Sequence, residues 1–145
     1  MTVTGTSGPN THTLSIPFNV GSFAMSVAIP PDPVLAGQSS RATLSLIPSF
    51  GYTGTIALTC NVAAISGARC TLNPVGPIVI SDSNPAQFDA IIEVPSSAAP
   101  GNYSISITGA DQTGTPVASA VVTLPVIPFQ FTSGTTSENV VPGQP

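Results

Sequence analysis

Apolar side chains recur at every second position in short runs along most of the chain. Phe23, Met25, Val27 and Ile29 alternate with Ala24, Ser26 and Ala28, and Ala42, Leu44 and Leu46 with Arg41, Thr43 and Ser45. Ile56, Leu58 and Cys60 share one parity against Thr55 and Thr59, and Cys70 and Leu72 continue it briefly. Phe88, Ala90, Ile92 and Val94 oppose Gln87, Asp89 and Glu93, while Tyr103, Ile105 and Ile107 oppose Ser104, Ser106 and Thr108. Ala118, Ala120, Val122 and Leu124 make the last full run. A period of two marks a strand with one greasy and one wet face. The runs are separated by Pro30-Pro31-Asp32-Pro33, Gly51-Tyr52-Thr53-Gly54, Asn73-Pro74, Asn84-Pro85, Ala99-Pro100-Gly101 and Thr113-Gly114, all turn or break signals. No segment carries apolar residues at helical spacing without an intervening Pro or Gly. Seven short strands over about 100 residues predict an all-β antiparallel sandwich.

Composition narrows the functions. The 145 residues suffice for one domain with its own core, and 41% hydrophobic against 6% charged excludes the make-up of a disordered tail. With 18 Ser, 17 Thr, 16 Pro and 13 Gly, strands and turns are favoured over helices. Arg41 and Arg69 are the only basic residues, too few for the cationic stripe that nucleic acid requires. One His, two Cys and six scattered acids leave little for a catalytic centre. The opening Met1–Pro9 lacks the basic and apolar regions of a secretion signal. Residues 118–131, the most apolar stretch, are interrupted by Pro125 and Pro128 and too short to span a bilayer. An export signal would therefore belong to a larger precursor.

Cys60 and Cys70 lie ten apart, with no His nearby in sequence and no second Cys pair, so a four-ligand zinc site is poorly supported. A disulfide fits better; closing so short a loop is worth about 2.7 kcal/mol and implies an oxidising compartment. Two buried thiols are the alternative.

An internal repeat sets the domain boundaries. Val3-Thr4-Gly5 matches Ile107-Thr108-Gly109 at an offset of 104, and Leu14-Ser15-Ile16-Pro17-Phe18 matches Val122-Thr123-Leu124-Pro125-Val126 at 108. Phe23 matches Phe131 at 108, and Val34-Leu35-Ala36-Gly37-Gln38 matches Val140-Val141-Pro142-Gly143-Gln144 at 106. Residues 1–22 then read as the last hairpin of one copy, 23–127 as a complete copy, and 128–145 as the first strand of the next. A hairpin with Met1, Val3, Leu14, Ile16, Phe18 and Val20 on one face is not stable alone in water. It is expected either to rest on the complete copy or to pair with another molecule, and a terminal strand bearing Phe129, Phe131, Val140 and Val141 has the same need.

The segments Gly54-Thr-Ile-Ala-Leu-Thr-Cys60, Gly67-Ala-Arg-Cys70-Thr-Leu-Asn-Pro74 and Ala99-Pro-Gly-Asn-Tyr-Ser-Ile-Ser-Ile-Thr-Gly109 resemble the bacterial Ig-like repeats of secreted and cell-surface proteins. The resemblance spans about 23–127 and implies an immunoglobulin-like sandwich in a tandem array. Such repeats serve many hosts, so no task is inherited from the fold. Pro100-Gly101 would turn the chain into a strand whose Tyr103 sits at the corner, its hydroxyl held by nearby backbone. The antibody pattern is otherwise departed from: Ile105 occupies the place of the second bridge cysteine, there is no Trp, and the cysteines are too close for the usual bridge.

Other chemistry weighs little. His12 reads as a strand-end residue rather than a base, and no Gly-x-Ser-x-Gly turn exists. Asp89 and Glu93 lie about 13 Å apart on one strand, beyond the ~6.5–9.5 Å of an inverting glycosidase pair. Neither Asp82-Ser83-Asn84 nor Asp111-Gln112 has calcium-loop spacing. Asn102-Tyr103-Ser104 fits a glycosylation sequon, but a turn residue explains Asn102 equally. Phe50 and Tyr52, borne on a loop, would either stack on a ligand such as a glycan or cap the core. The expected function is a non-catalytic, extracellular structural module, a spacer, stalk or adhesin-type repeat without cofactor or metal. Its partners are neighbouring repeats or copies of itself. The rival readings are a subunit assembling head to tail through its incomplete ends, and an accessory module binding glycan or surface protein.

Overall fold

In a computed structural model that describes residues 1–17, 19–81 and 83–128, every regular element is a strand. The chain runs β1 (Thr2–Ser7), β2 (Asn10–Ser15), β3 (Ser22–Ile29), β4 (Val34–Leu35), β5 (Ser39–Ser49), β6 (Gly54–Asn61), β7 (Arg69–Asn73), β8 (Ile78–Ile80), β9 (Ala86–Glu93), β10 (Gly101–Asp111) and β11 (Val117–Ile127). Strands β3-β5-β9-β7 form one sheet and β4-β11-β10-β6-β8 the other, while β1 and β2 pair only with each other. The order β3-β5-β9-β7 facing β11-β10-β6 is compatible with the A-B-E-D and G-F-C sheets of immunoglobulin-type domains.

The alternating residues supply the core. Leu44, Leu46, Ile56, Ala90, Ile92, Ile105, Ile107 and Leu124 are wholly buried, with Phe23, Phe88 and Val122 beside them. Gly109 is buried on β10 at a position where a Cβ would come to 3.0 Å from both Ile56 and Met25. Its missing side chain lets the two sheets close.

Three expectations need correcting. The stretch 23–127 contributes nine strands rather than seven, because β4 and β8 are too short to show an alternating run. The sandwich is not purely antiparallel: Val34 and Leu35 pair in parallel with Val126 and Ile127. Finally, Ile29 is 61% exposed although it shares parity with buried Phe23. The register of β3 on β5 slips by one between Val27 and Ile29, so Ile29 lies opposite Thr43 rather than continuing the inner row. A bulge of one residue turns every later side chain to the opposite face.

The chain enters and leaves the sandwich at opposite ends. Ser22 lies opposite Ser49, and the preceding Gly21 packs against Tyr52, at the end that also holds Asp111 and Val117. Ile127 pairs with Leu35 at the far end, where Gly37 donates to the Val94 carbonyl at 3.0 Å. The whole of β11 separates the two, about 33 Å at the rise of an extended strand.

Candidate functional site

The disulfide forms between Cys60 and Cys70, with Cα atoms 6.2 Å apart. Cys60 belongs to β6 in the five-stranded sheet and Cys70 to β7, the edge of the four-stranded sheet. The bridge therefore ties the two sheets together where the chain crosses between them, and does not merely close a surface loop. Both cysteines are half-buried.

The entry end holds the polar arrangement with the most chemistry, and no spacing in the sequence announces it. Tyr52 is 7% exposed, its ring tilted against Phe23 with centroids 5.3 Å apart. Its hydroxyl donates to Oδ2 of Asp111, 59 positions away in the chain. The other carboxylate oxygen, Oδ1, accepts from the Thr113 backbone N–H at 2.8 Å and from the Thr113 hydroxyl at 2.7 Å. A Cβ on Gly54 would lie 2.7 Å from Oδ2 of Asp111, so only glycine leaves the bond room. One side chain thus joins the β5–β6 loop to the β10–β11 loop. A groove of about 560 Å³ runs alongside, between Val20, Ser22 and Thr115.

Burial, together with the Asp111 carboxylate beside it, pushes the Tyr52 phenol up to about 12. Asp111 is held below its usual range by the Tyr52 hydroxyl first and then by both Thr113 donors, against a smaller opposing effect of desolvation. The fold prefers neutral Tyr52, so that contribution is whole below about pH 10, the free phenol's value, and fades as pH rises toward about 12. The fold also prefers ionised Asp111, so its contribution holds above the ordinary carboxylate range and fades as pH falls through the lowered value. Titration of phenolate absorbance is expected to show a component near pH 12 that disappears in Tyr52→Phe. A single step at the free phenol's value, which Tyr52→Phe merely halves in amplitude, would refute the contact.

The remaining candidates are spread over the molecule. Phe50 is 70% exposed and stands at φ 53°, a left-handed conformation uncommon for a bulky residue, in a tight turn closed by the Tyr52 N–H on the Ser49 carbonyl at 3.1 Å. With Tyr52 in the core, the two rings do not present a common platform. Tyr103 donates its hydroxyl to the Ala99 carbonyl at 2.8 Å, across the Pro100-Gly101 corner. Asp89 accepts from the Thr43 hydroxyl at 2.7 Å and pairs with exposed Arg41 at 3.5 Å. Glu93 shares its register with Ser39 and Arg69 on the flanking strands. His12 is exposed on β2 opposite Gly5, and Asn102 is exposed at the start of β10. Asp82 and the stretch 129–145, with Phe129, Phe131, Val140 and Val141, lie outside the described residues. Among the described residues no group of three or more His, Cys, Asp or Glu could hold a metal ion.

No family model and no curated protein matches the chain. Solved structures do. The FixG-related protein from Vibrio parahaemolyticus aligns with a TM-score of 0.53 at 7% identity, covering 75% of this chain and 98% of that one. A family 123 glycoside hydrolase from Clostridium perfringens aligns at 0.52 and 11% identity, covering 74% of this chain. That alignment spans only 27% of the hydrolase. Domains 4 and 5 of the S-layer protein SbsC align at 0.47 and 19% identity, covering 83% of this chain and 60% of that one. At such identities likeness concerns the fold alone, and the third, with the lowest score, adds nothing to it. A two-sheet β-sandwich stapled by one disulfide is the class these observations define.

Proposed function

We propose that residues 23–127 are a non-catalytic, immunoglobulin-like spacer module of an exported bacterial protein, one of a tandem series that holds other domains at a distance. The observation that carries this reading is the placement of entry and exit at opposite ends of the sandwich, so that each copy advances the chain by about 33 Å. A module with adjacent ends would be looped out as an appendage. Three further features support it: the A-B-E-D and G-F-C strand order, the internal repeat near 105 residues, and a bridge of the kind that persists in oxidising compartments. The outer rows of Ser and Thr, such as Ser104, Ser106 and Thr108, suit a surface exposed to solvent along its length.

Small-angle scattering from proteins carrying two, three and four copies of residues 23–127 in series provides the test. The maximum dimension is expected to grow by about 33 Å or slightly more with each added copy. Copies that fold back on one another, leaving the dimension nearly constant, would remove the spacer reading.

A further inference from the structure

We infer that the open edge of β11, residues 117–125, pairs antiparallel with the same edge of a second copy of this chain, making their two five-stranded sheets continuous. On one side β11 pairs with β10 from Val117 to Val126; on the other only Val126 and Ile127 have a partner, in β4. The Asp111 N–H donates to the Pro116 carbonyl at 3.1 Å, so Pro116 faces β10, and every second residue after it does the same. Val117, Ser119, Val121 and Thr123 therefore turn their N–H and C=O groups to the open side. Their side chains are exposed, Val117 by 56% and Val121 by 61%. Behind them the core shows through the seam between the sheets: Ala118 and Ala120 of β11, like Met25 and Val27 of β3, are only half-buried.

The other edges of the sandwich each carry a device against pairing. Strands β4 and β8 are two and three residues long. Strand β7 has five residues and begins with Arg69, and the Cys60–Cys70 bridge ties it to the unpaired part of β6. Strand β3 is broken by its bulge. Residues 117–124 have no charge, no proline and no slip in register. A long, uncharged, unbroken edge is a template for another strand.

The chemistry of this edge identifies that strand, because the edge is its own complement. Turned end for end about Val121, it sets Val121 against Val121 of the second copy, Ser119 against Thr123 and Val117 against Pro125 on the outer face. On the inner face Ala120 meets Val122 and Ala118 meets Leu124. Apolar residues meet apolar ones, hydroxyls meet hydroxyls, and each small inner residue meets a larger one. The register is fixed by what bounds the edge. Strand β4 occupies the place beside Val126 and Ile127, and Pro116 is turned to β10, so 117–125 is the free length and Val121 its centre. Proline 125, which has no N–H to offer, falls at the margin. Entry and exit lie at opposite ends of β11, so the joined modules point opposite ways. On the spacer reading proposed above, that links stalks from two facing surfaces rather than neighbours on one.

Sedimentation velocity on the full chain over rising concentration tests this. The average mass is expected to rise and level at twice that of the chain, since an edge paired with itself about a two-fold is used up in one contact. Val121→Lys and Val121→Glu each place like charges opposite one another at that two-fold, and each is expected to stay monomeric with its melting midpoint unchanged. An equimolar mixture of the two sets Lys against Glu and is expected to form dimers again. Val79→Lys, at a 67% exposed position on β8 in the same sheet, is expected to associate as the unaltered chain does. A full chain that stays monomeric overturns the inference, as it would if residues 129–145 lay along the edge instead. So does association that survives Val121→Lys, a mixture that fails to pair, or a loss of association in Val79→Lys, which would place the contact on the sheet face. None of these outcomes bears on the spacing between successive copies, which scattering reads independently.

Discussion

Replacing Cys60 and Cys70 together by alanine is expected to lower the unfolding free energy by about 2.7 kcal/mol, the chain entropy that a ten-residue closure removes from the unfolded state. For a domain of this size that corresponds to roughly 10 °C in melting midpoint. The position of the bridge argues that the native state will not compensate. Strand β7 is an edge strand held on one side only, by β9, and the bridge fixes it to β6 across the sandwich. Thermal unfolding with and without reductant, alongside the double variant, measures the effect. Equal midpoints in all three would show that the loop is already closed by its own packing. Ile65 and Ala68 fold that loop through N–H bonds to the Val62 and Ile65 carbonyls, at 2.9 and 3.1 Å, and are the residues that would have to supply such packing.

A comparable loss is expected from Leu44→Ala. Leu44 is wholly buried on β5, the strand flanked by β3 and β9, in register with Val27 on one side and Phe88 on the other. Close packing from two strands and the facing sheet leaves little to collapse into the space, which places the cost at about 2–5 kcal/mol. Ile47→Ala, three positions along the same strand but 43% exposed, is the control and is expected to stay within about 0.5 kcal/mol. Denaturant midpoints for the two variants decide the matter; similar shifts would mean that inner and outer faces are assigned to the wrong sides.

Those assignments were legible in the sequence wherever a strand keeps strict alternation against a continuous partner. Runs such as Phe88 to Val94 and Tyr103 to Ile107 have their apolar parity inward. Legibility ended where geometry depends on something not local. Ile29 obeys the alternation on paper, yet one extra residue in the pairing turns it outward. The two-residue β4 and three-residue β8 exist because a neighbouring strand offers hydrogen bonds, and no periodicity of their own marks them. The partnership of Tyr52 with Asp111 joins two loops through a single bond between distant residues, and the residue classes alone left Tyr52 as readily a ligand contact as a core cap. The Tyr103 bond to Ala99 spans four residues around a proline-glycine turn, close enough in sequence for the motif to point to it.

The sheet switch in the leading segment has a mechanical corollary. Strand β3 belongs to one sheet and β4 to the other, with Pro30-Pro31-Asp32-Pro33 between them. Tension between the two ends of the module would draw β4 backward along β11 while β11 is drawn forward. The bonds joining them, together with those of β3 on β5, are then loaded side by side and must rupture jointly instead of peeling one after another. A stalk assembled from such units would resist drag along its own length far better than a force applied sideways to a single loop.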